Sequence, residues 1–281
     1  MRRKIMSVAL CSALTATLFM GGCGSDEQET LSVDEFTKKL NSAMTIESLE
    51  NFEYVGSISG DIEVQQTGSE TPITSKLDFK LSGEVDKKNH IVYCSLSGDL
   101  LGLTVSEESF TKVNLDDNSI VNYYCEDGQW AIVDEGETSS EDLITFCGLL
   151  PEKTMKYDDL VASLKEPKVE ITENEYKLVG ELDLAKLLEP YSEATSTSVY
   201  VDMLKDAKVD VSVVLEKSTG YFKTLEVTIG EISTENDNFK LSTSSIVLKL
   251  EIKNINNVGE VTLPEVANDS EEETSQVVTF D

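Results

Sequence analysis

The sequence holds a single histidine, His90, among its 281 residues. One histidine excludes most zinc sites and every Ser-His or Cys-His catalytic arrangement that needs a second one. No Cys-x-x-Cys pair occurs either, so the sequence offers neither a redox motif nor a zinc knuckle. We therefore predict a protein that is not an enzyme, with no catalytic residues, no metal site and no cofactor.

Basic residues are scarce as well. The chain has 23 Lys and Arg against 53 Asp and Glu, which gives a net charge of −30. Nucleic acids are bound through clustered Lys and Arg, so this balance excludes a nucleic-acid partner. A hydrophobic share of 40% is typical of a folded chain, because disordered chains with so much charge carry fewer apolar residues.

No hydrophobic run is long enough to favour a permanent membrane span. The apolar stretch 5–20 has 16 residues, whereas a spanning helix needs about 20. Arg2, Arg3 and Lys4 precede it, and a small-residue segment follows it. A basic start, an apolar middle and a small-residue exit predict an export signal over residues 1–22.

The end of this signal carries the most specific motif in the chain. Met20-Gly21-Gly22-Cys23 resembles the lipobox of bacterial lipoproteins, although Leu is commoner than Met at the first position. The resemblance implies lipidation of Cys23 and anchoring of the protein to the extracytoplasmic face of the cell membrane. Two acyl chains would hold it stably, where one holds only marginally. The alternative is an ordinary secreted protein in which Cys23 is incidental.

Removal of residues 1–22 would delete three positive charges and no acid, changing the net charge from −30 to −33. Three cysteines then remain besides Cys23, so at most one disulfide can form. Cys125 and Cys147 flank a short segment and are one candidate pair. Cys94 lies in an alternating strand pattern, which favours a small buried hydrophobic residue. The sequence leaves the pairing open.

The region after the predicted lipid anchor begins with a polar tether, 23–30, and then a helix. Ser32 and Glu35 have the spacing of a capping box, and apolar residues recur on one face of the helix behind them. These apolar residues are Phe36, Leu40, Ala43 and Met44. We predict a single domain over 31–265, followed by an acidic disordered tail over 266–281.

Most of this domain is predicted to be antiparallel sheet. In 52–64, apolar residues and glycines take every even position, which indicates a strand with one dry face. The other predicted strands are 76–85, 91–97, 102–106, 110–115, 120–125, 129–133, 169–172, 176–182, 209–215, 222–229, 239–244 and 246–255. Strands with apolar residues on one side favour one large sheet, which must curl and bury its apolar face. The helices predicted within 32–44, 140–164 and 184–205 could pack on this face and bury it. The fold class is therefore α+β, with a large curved sheet.

Three segments resemble a known family. The hairpin 123–130 ends in Asp-Gly-x-Trp, 218–227 forms a late hairpin, and Leu-Pro-Glu at 263–265 closes the domain. Together with the order of elements over 31–265, they are similar to the lipoprotein-carrier superfamily of LolA, LolB and LppX-like proteins. The resemblance implies a half-barrel whose helices cover the concave face, with a cavity that carries acyl chains or lipids. It transfers no ligand-binding residue to a numbered position, so the ligand-binding residues stay unknown.

Two functions therefore remain open. The first is a membrane-anchored, non-catalytic lipoprotein that binds or carries an apolar, lipid-like ligand. In the second, helix side chains plug the cavity, and the protein recognises a protein or wall component on its acidic outer face. The candidate plugging residues are Phe36, Leu40, Leu143, Phe146, Leu187 and Leu188.

Other polar features favour ordinary structural roles. The acidic segments 116–119 and 236–238 lack the spacing of a calcium loop and are predicted to be turns. His90 is expected to be exposed on a turn tip, with no carboxylate partner.

Adjacent acids and the single tryptophan have similar alternatives. Glu107 and Glu108, like Asp158 and Asp159, are predicted to be solvated, because neighbouring carboxylates on a strand or helix point apart and cannot flank a sugar. Trp130 is predicted to anchor the sheet rather than to stack on a ligand.

Overall fold

The computed structural model describes residues 29–66, 68–69, 71–100, 102–116, 119–133, 144–149, 156–188, 207–235 and 239–266. Cys23 and the predicted signal peptide lie outside these residues, as does the predicted tail beyond residue 266. From Leu31 onward the described residues belong to one compact unit. None of the helices described has both the length and the apolar character needed to cross a bilayer.

Helices form a small part of this unit. They are α1 (Val33–Ser42), α2 (Asp158–Ala162) and α3 (Leu184–Leu188), with a further helical turn at 144–146. The predicted start of α1 is confirmed, since the Glu35 backbone N–H donates to Ser32 Oγ at 3.2 Å. In return, the Ser32 backbone N–H donates to the Glu35 carboxylate at 2.9 Å. This reciprocal capping box lowers the pKa of Glu35, mainly through the bond from the Ser32 backbone.

Loss of the capping box gives a testable stability change. Ser32→Ala leaves the Glu35 N–H without its acceptor, so we expect the free energy of unfolding to fall by about 1 kcal/mol. Ser42→Ala, at the exposed far end of α1, is the matched control and should change it by less than about 0.5 kcal/mol. Urea unfolding of the two variants measures the difference. Equal losses would show that the cap contributes nothing.

The rest of the unit is one antiparallel sheet of thirteen strands. The strands are β1 (Asn51–Gln66), β2 (Ile73–Asp86), β3 (Ile91–Leu100), β4 (Leu103–Asn114), β5 (Ser119–Glu126), β6 (Gln129–Val133), β7 (Leu164–Ile171), β8 (Glu175–Leu182), β9 (Val209–Glu216), β10 (Phe222–Ile229), β11 (Ile232–Glu235), β12 (Phe239–Thr243) and β13 (Ile246–Lys253). Their order is β6-β5-β4-β3-β2-β1-β13-β10-β9-β8-β7, and β12 pairs with both β1 and β11. Among the described residues the edge strands β6 and β7 do not pair with each other, so the sheet is open. The predicted large antiparallel sheet is confirmed.

The strand register places the apolar residues of neighbouring strands on one face of the sheet. Gly56 of β1 lies opposite Leu81 of β2 and opposite Leu250 of β13. Leu81 in turn lies opposite Leu96, and Leu250 opposite Leu225. Because side chains alternate along each strand, the even positions of β1 share a face with the odd positions of β2. We call this side of the sheet the apolar face.

The helices pack on one part of the apolar face. Phe36 and Leu40 of α1 are fully buried in a cluster with Phe52 and Tyr54 of β1 and Leu178 of β8. The same cluster includes Ile144, Cys147, Leu149 and Val161 from the segments that contain the helical turn and α2. This cluster is the hydrophobic core of the unit.

Several predicted boundaries were wrong. The helix predicted to run to Leu164 ends at Ala162, and β7 begins at Leu164 and includes Pro167. Proline is accepted there because β7 is an edge strand whose register shifts between Lys165 and Lys168. The segments 102–106 and 110–115 belong to one strand, β4, because the acidic pair between them is part of an exposed strand surface. The short strand β11 was missed.

The predicted Asp-Gly hairpin between β5 and β6 is confirmed. Asp127 has φ of 51° and Gly128 has φ of 78°. Positive φ at both central residues defines the type I′ turn, whose twist matches that of the flanking strands. Gly220, in the predicted turn between β9 and β10, likewise has φ of 77°.

Candidate functional site

A strongly apolar pocket forms a trough on the apolar face. Its volume is about 280 Å³, and five strands near the middle of the sheet form its walls. The lining residues are Gly56, Ser57, Ile58, Phe79, Leu81, Leu96, Leu225, Val227, Leu248, Lys249 and Leu250. By register, Ser57 and Lys249 belong to the opposite face of the sheet, so the side chains on the trough's own face are aliphatic or aromatic. The trough therefore suits an apolar ligand.

Glycine gives the trough part of its depth. Gly56 contributes no side chain at its centre, and a Cβ there would lie 3.2 Å from Leu81 Cβ. Leu81 and Leu96 on one side and Leu225 on the other are all half-buried rather than buried. Positions that the alternation predicts to be buried are therefore only half-buried within the described part of the chain.

The trough continues the same face that the helices pack on. Along β1, Phe52 and Tyr54 are buried beneath helix residues, whereas Gly56 and Ile58 further along the strand line the trough. The helix side chains thus fill the part of the face near the start of β1. Beyond Tyr54, the described residues leave the apolar face open as the trough.

The predicted plugging residues belong to the packed part of the face. Phe36 and Leu40 are fully buried, and Phe146 packs edge-on against Phe222 with 6.0 Å between the ring centroids. Leu187 packs against the core while partly exposed. Leu143 and the side chain of Leu188 lie outside the described residues. None of the described plugging residues lines the trough.

An aromatic row lies on the opposite face of the sheet, which we call the outer face. The rings of Tyr93 and Phe110 are 4.8 Å apart, and those of Phe110 and Trp130 are 5.1 Å apart. Trp130 is half-buried. Ile132, also on this face by register, is 51% exposed.

The three cysteines of the described chain are free thiols. Cys147 is fully buried, and burial raises the pKa of its thiol. Cys94 is half-buried, and burial raises its pKa as well. Both thiols therefore stay protonated near neutral pH, which makes them poor nucleophiles. Cys125 lies on β5, half-buried.

The acidic candidates do not assemble into a site. Glu107 and Glu108 are both exposed and, as neighbours on β4, point to opposite faces. Asp158 accepts a hydrogen bond from Asn41 Nδ2 at 2.8 Å, which joins α2 to α1. No cluster of three or more metal-ligating side chains exists within the ranges that the structure covers. The segment 236–238 and residues 117–118 lie outside those ranges.

His90 differs from its prediction. It does lie on the turn between β2 and β3, with φ of 56°, but it is half-buried rather than exposed. Its Nδ1 atom is buried and forms no hydrogen bond with any described residue. The turn packs against the chain that follows α1, since Lys87 donates from Nζ to the Met44 carbonyl oxygen and from its backbone N to the Glu50 carbonyl oxygen.

No protein-family model matches the chain, and no curated protein matches it. Its function must therefore be argued from its own residues. The alternation in 52–64 predicted the apolar face but not which part of that face the helices would leave open. The only sequence signal for the trough is the pair of glycines in 56–60, which alternate with polar residues where bulky apolar side chains are otherwise expected.

Proposed function

We propose that this protein is a membrane-anchored, extracytoplasmic bacterial lipoprotein that binds an acyl chain in the trough. The observation that carries the proposal is the apolar trough of about 280 Å³ on the half of the apolar face beyond Tyr54. Ligand pockets commonly measure about 300–1,000 Å³. A volume just under this range suits part of an acyl chain better than a whole lipid.

The proposed fold is a half-barrel like that of the lipoprotein carriers. A one-sided sheet of thirteen strands supports it, because strongly twisted open sheets of more than about ten strands usually curl. Within such a half-barrel, α1 and its neighbours would cover the concave face near the start of β1. The trough would then be the part of the concavity that holds the ligand.

The proposed location depends on the lipobox at Cys23. An acyl-binding protein held at a membrane by its own lipid would have its ligand within reach. The proposal involves no catalytic step, and the described residues supply only an apolar surface at the trough.

Binding of a fluorescent sixteen-carbon fatty acid tests the proposal. We expect the full chain to bind this probe saturably, and Leu81→Asp to weaken binding at least about tenfold, because a carboxylate in the trough must be desolvated when the ligand enters. Ser82→Asp adds the same charge on the next residue of β2, which is exposed on the outer face, and should stay within about twofold of the wild type.

The same titration separates the two functions. If the wild type fails to bind the probe, or if Leu81→Asp and Ser82→Asp bind it equally, the acyl-binding proposal is wrong. Melting curves of both variants show whether either one has lost its fold.

The second candidate function, recognition of a protein or wall component, is favoured by the outer face. Tyr93, Phe110 and Trp130 form a half-buried aromatic row there, with Ile132 exposed beside it. Aromatic side chains bury much area at little entropic cost, so such a row suits a contact surface. Absence of probe binding, combined with loss of a partner on Trp130→Ala, would favour this function.

A further inference from the structure

A second pocket lies at the other end of β2 and has a different chemistry. It measures about 490 Å³ and is formed by the turn between β2 and β3, the chain after α1, and the segment that follows the helical turn at 144–146. Its lining residues are Thr45, Glu47, Leu49, Glu50, Lys87, Lys88, His90, Gly148 and Leu149. Two lysines and the only histidine of the chain therefore meet in one cavity of a protein whose net charge is −30.

Lys87 is the most buried charge among the residues that line this pocket. Its Nζ donates a hydrogen bond to the Met44 carbonyl oxygen at 2.7 Å. The side chain is half-buried, and burial lowers the pKa of its ammonium group. Within the described ranges, no carboxylate lies within ion-pair distance of it. A partly desolvated ammonium group with donors to spare favours an anionic partner.

Gly148 keeps the space around this ammonium group clear. Its φ is 67°, and a Cβ there would clash with the Met44 carbonyl oxygen while lying 3.6 Å from Lys87 Nζ. A glycine is thus needed both for the backbone conformation and for the approach of this segment to the Lys87 contact. The close packing holds Lys87 in place on its carbonyl acceptor.

His90 supplies the second unsatisfied group. Its Nδ1 is buried and has no hydrogen-bond partner among the residues described, although its backbone carbonyl accepts from Val113 N at 2.9 Å. Buried polar atoms without partners are rare in native structures, and this one is enclosed by neighbouring atoms. His90 lines the pocket, so its imidazole reports on a ligand that binds there.

The acids near this pocket do not cancel its positive groups. The Asp86 carboxylate is already held by Asn89, which donates from its backbone N at 3.0 Å and from Nδ2 at 2.7 Å. Glu47 and Glu50 line the pocket at exposed positions, where water and salt screen their charges. The half-buried ammonium group of Lys87 is screened much less.

We propose that this pocket binds a phosphate-type oxyanion, with Lys87 Nζ as the inner donor, Lys88 at the rim and His90 in the wall. A tetrahedral oxyanion offers several acceptor oxygens, which suits the two lysines carried by this one turn. Both inorganic phosphate and the phosphodiester of a phospholipid headgroup carry this chemistry. The inference stands independently of the acyl-binding trough, because it involves other residues at another end of β2.

The single histidine makes a site-specific test possible. In the full chain labelled with ¹⁵N-histidine, all imidazole signals come from His90. We expect them to shift saturably on titration with inorganic phosphate or with dihexanoyl phosphatidylglycerol. Lys87→Gln should weaken the binding at least about tenfold, the usual worth of one charged hydrogen bond. Lys240→Gln removes the same charge on β12, at an exposed position, and should leave the binding unchanged.

Each outcome decides the question. Saturation by phosphate alone assigns the site to the free ion, and tighter saturation by the phospholipid assigns it to a headgroup. An equal shift in sodium chloride of the same ionic strength, or no saturable shift with either probe, overturns the proposal. If Lys87→Gln does not fold, Lys88→Gln at the exposed rim replaces it, with an expected weakening of about threefold. Unchanged binding in the lysine variant that is tested also overturns the proposal.

Discussion

Replacement of Cys23 by serine is expected to move the protein from the membrane fraction to the soluble fraction. A serine hydroxyl cannot form the thioether through which the lipid would be attached, so the variant lacks both acyl chains. Each buried CH₂ group contributes about 0.8 kcal/mol to membrane binding, and one chain already binds marginally. Loss of the whole anchor should therefore release nearly all of the protein. Fractionation of cells grown with labelled palmitate measures release and lipid attachment together.

Cys125→Ser is the matched control for this experiment. It makes the same substitution at a half-buried position of β5 and leaves the lipobox intact. The control should stay in the membrane fraction and keep the label. Thermal melting of the released Cys23→Ser protein should match the wild type, because α1 and the sheet begin after the tether. A Cys23→Ser protein that remains with the membrane would contradict the proposed lipid anchor.

The apolar face could be predicted because its signal is local. Period-two alternation in 52–64 indicates one dry face regardless of what pairs with it, and β1 pairs in register with β2 and β13 as such a strand should. The capping box at Ser32 and the Asp-Gly turn at Asp127 are equally local, and both are confirmed. Each of these features depends on residues within a few positions of one another.

Features that depend on tertiary context could not be predicted from the sequence. The residues after the helix predicted to end at Leu164 form β7, which accepts Pro167 because that strand is at the sheet edge and has a register shift there. Whether a strand is at an edge depends on the whole sheet order, which alternation does not specify. The prediction that His90 is exposed was wrong for a similar reason. A turn pattern predicts the backbone conformation of the turn but not which other segment packs against that turn.

The trough lies between these two cases. Its residues follow from the alternation, since Ile58, Leu81 and Leu225 all occupy dry positions of their strands. Whether the trough is left uncovered does not follow from the alternation, because that depends on how far along β1 the helix side chains reach. In the sequence, the change from Phe and Tyr at 52 and 54 to Gly at 56 is the one local sign of where the described helix side chains stop packing on β1.

Gly83→Ala is expected to cause the largest loss of stability among the predicted variants. Gly83 is buried on β2, opposite Tyr54 of β1 and Cys94 of β3. The Tyr54 ring lies over this glycine, and its hydroxyl donates to the Tyr93 carbonyl oxygen at 3.0 Å. A methyl group at position 83 would overlap both the ring and that carbonyl oxygen. Either the hydrogen bond or the strand pairing must give way.

We expect Gly83→Ala to lower the free energy of unfolding by about 3 kcal/mol, which reduces the folding equilibrium constant by more than about a hundredfold. Gly56→Ala is the matched control on the neighbouring strand. Its Cβ would meet Leu81 Cβ at 3.2 Å and the Lys249 carbonyl oxygen at 3.3 Å, so small shifts accommodate it. We expect a change within about 1 kcal/mol for this control, measured by urea unfolding.

The Tyr54 ring can be separated from the backbone contribution by a double-mutant cycle. In the Tyr54→Leu background the ring is gone, so Gly83→Ala should cost less than in the wild type. A residual cost would remain, because the Tyr93 carbonyl oxygen still opposes the methyl group. An equal cost in both backgrounds would mean that the ring does not pack on Gly83. The Tyr54 side chain would then not pass over β2 to reach the Tyr93 carbonyl oxygen on β3.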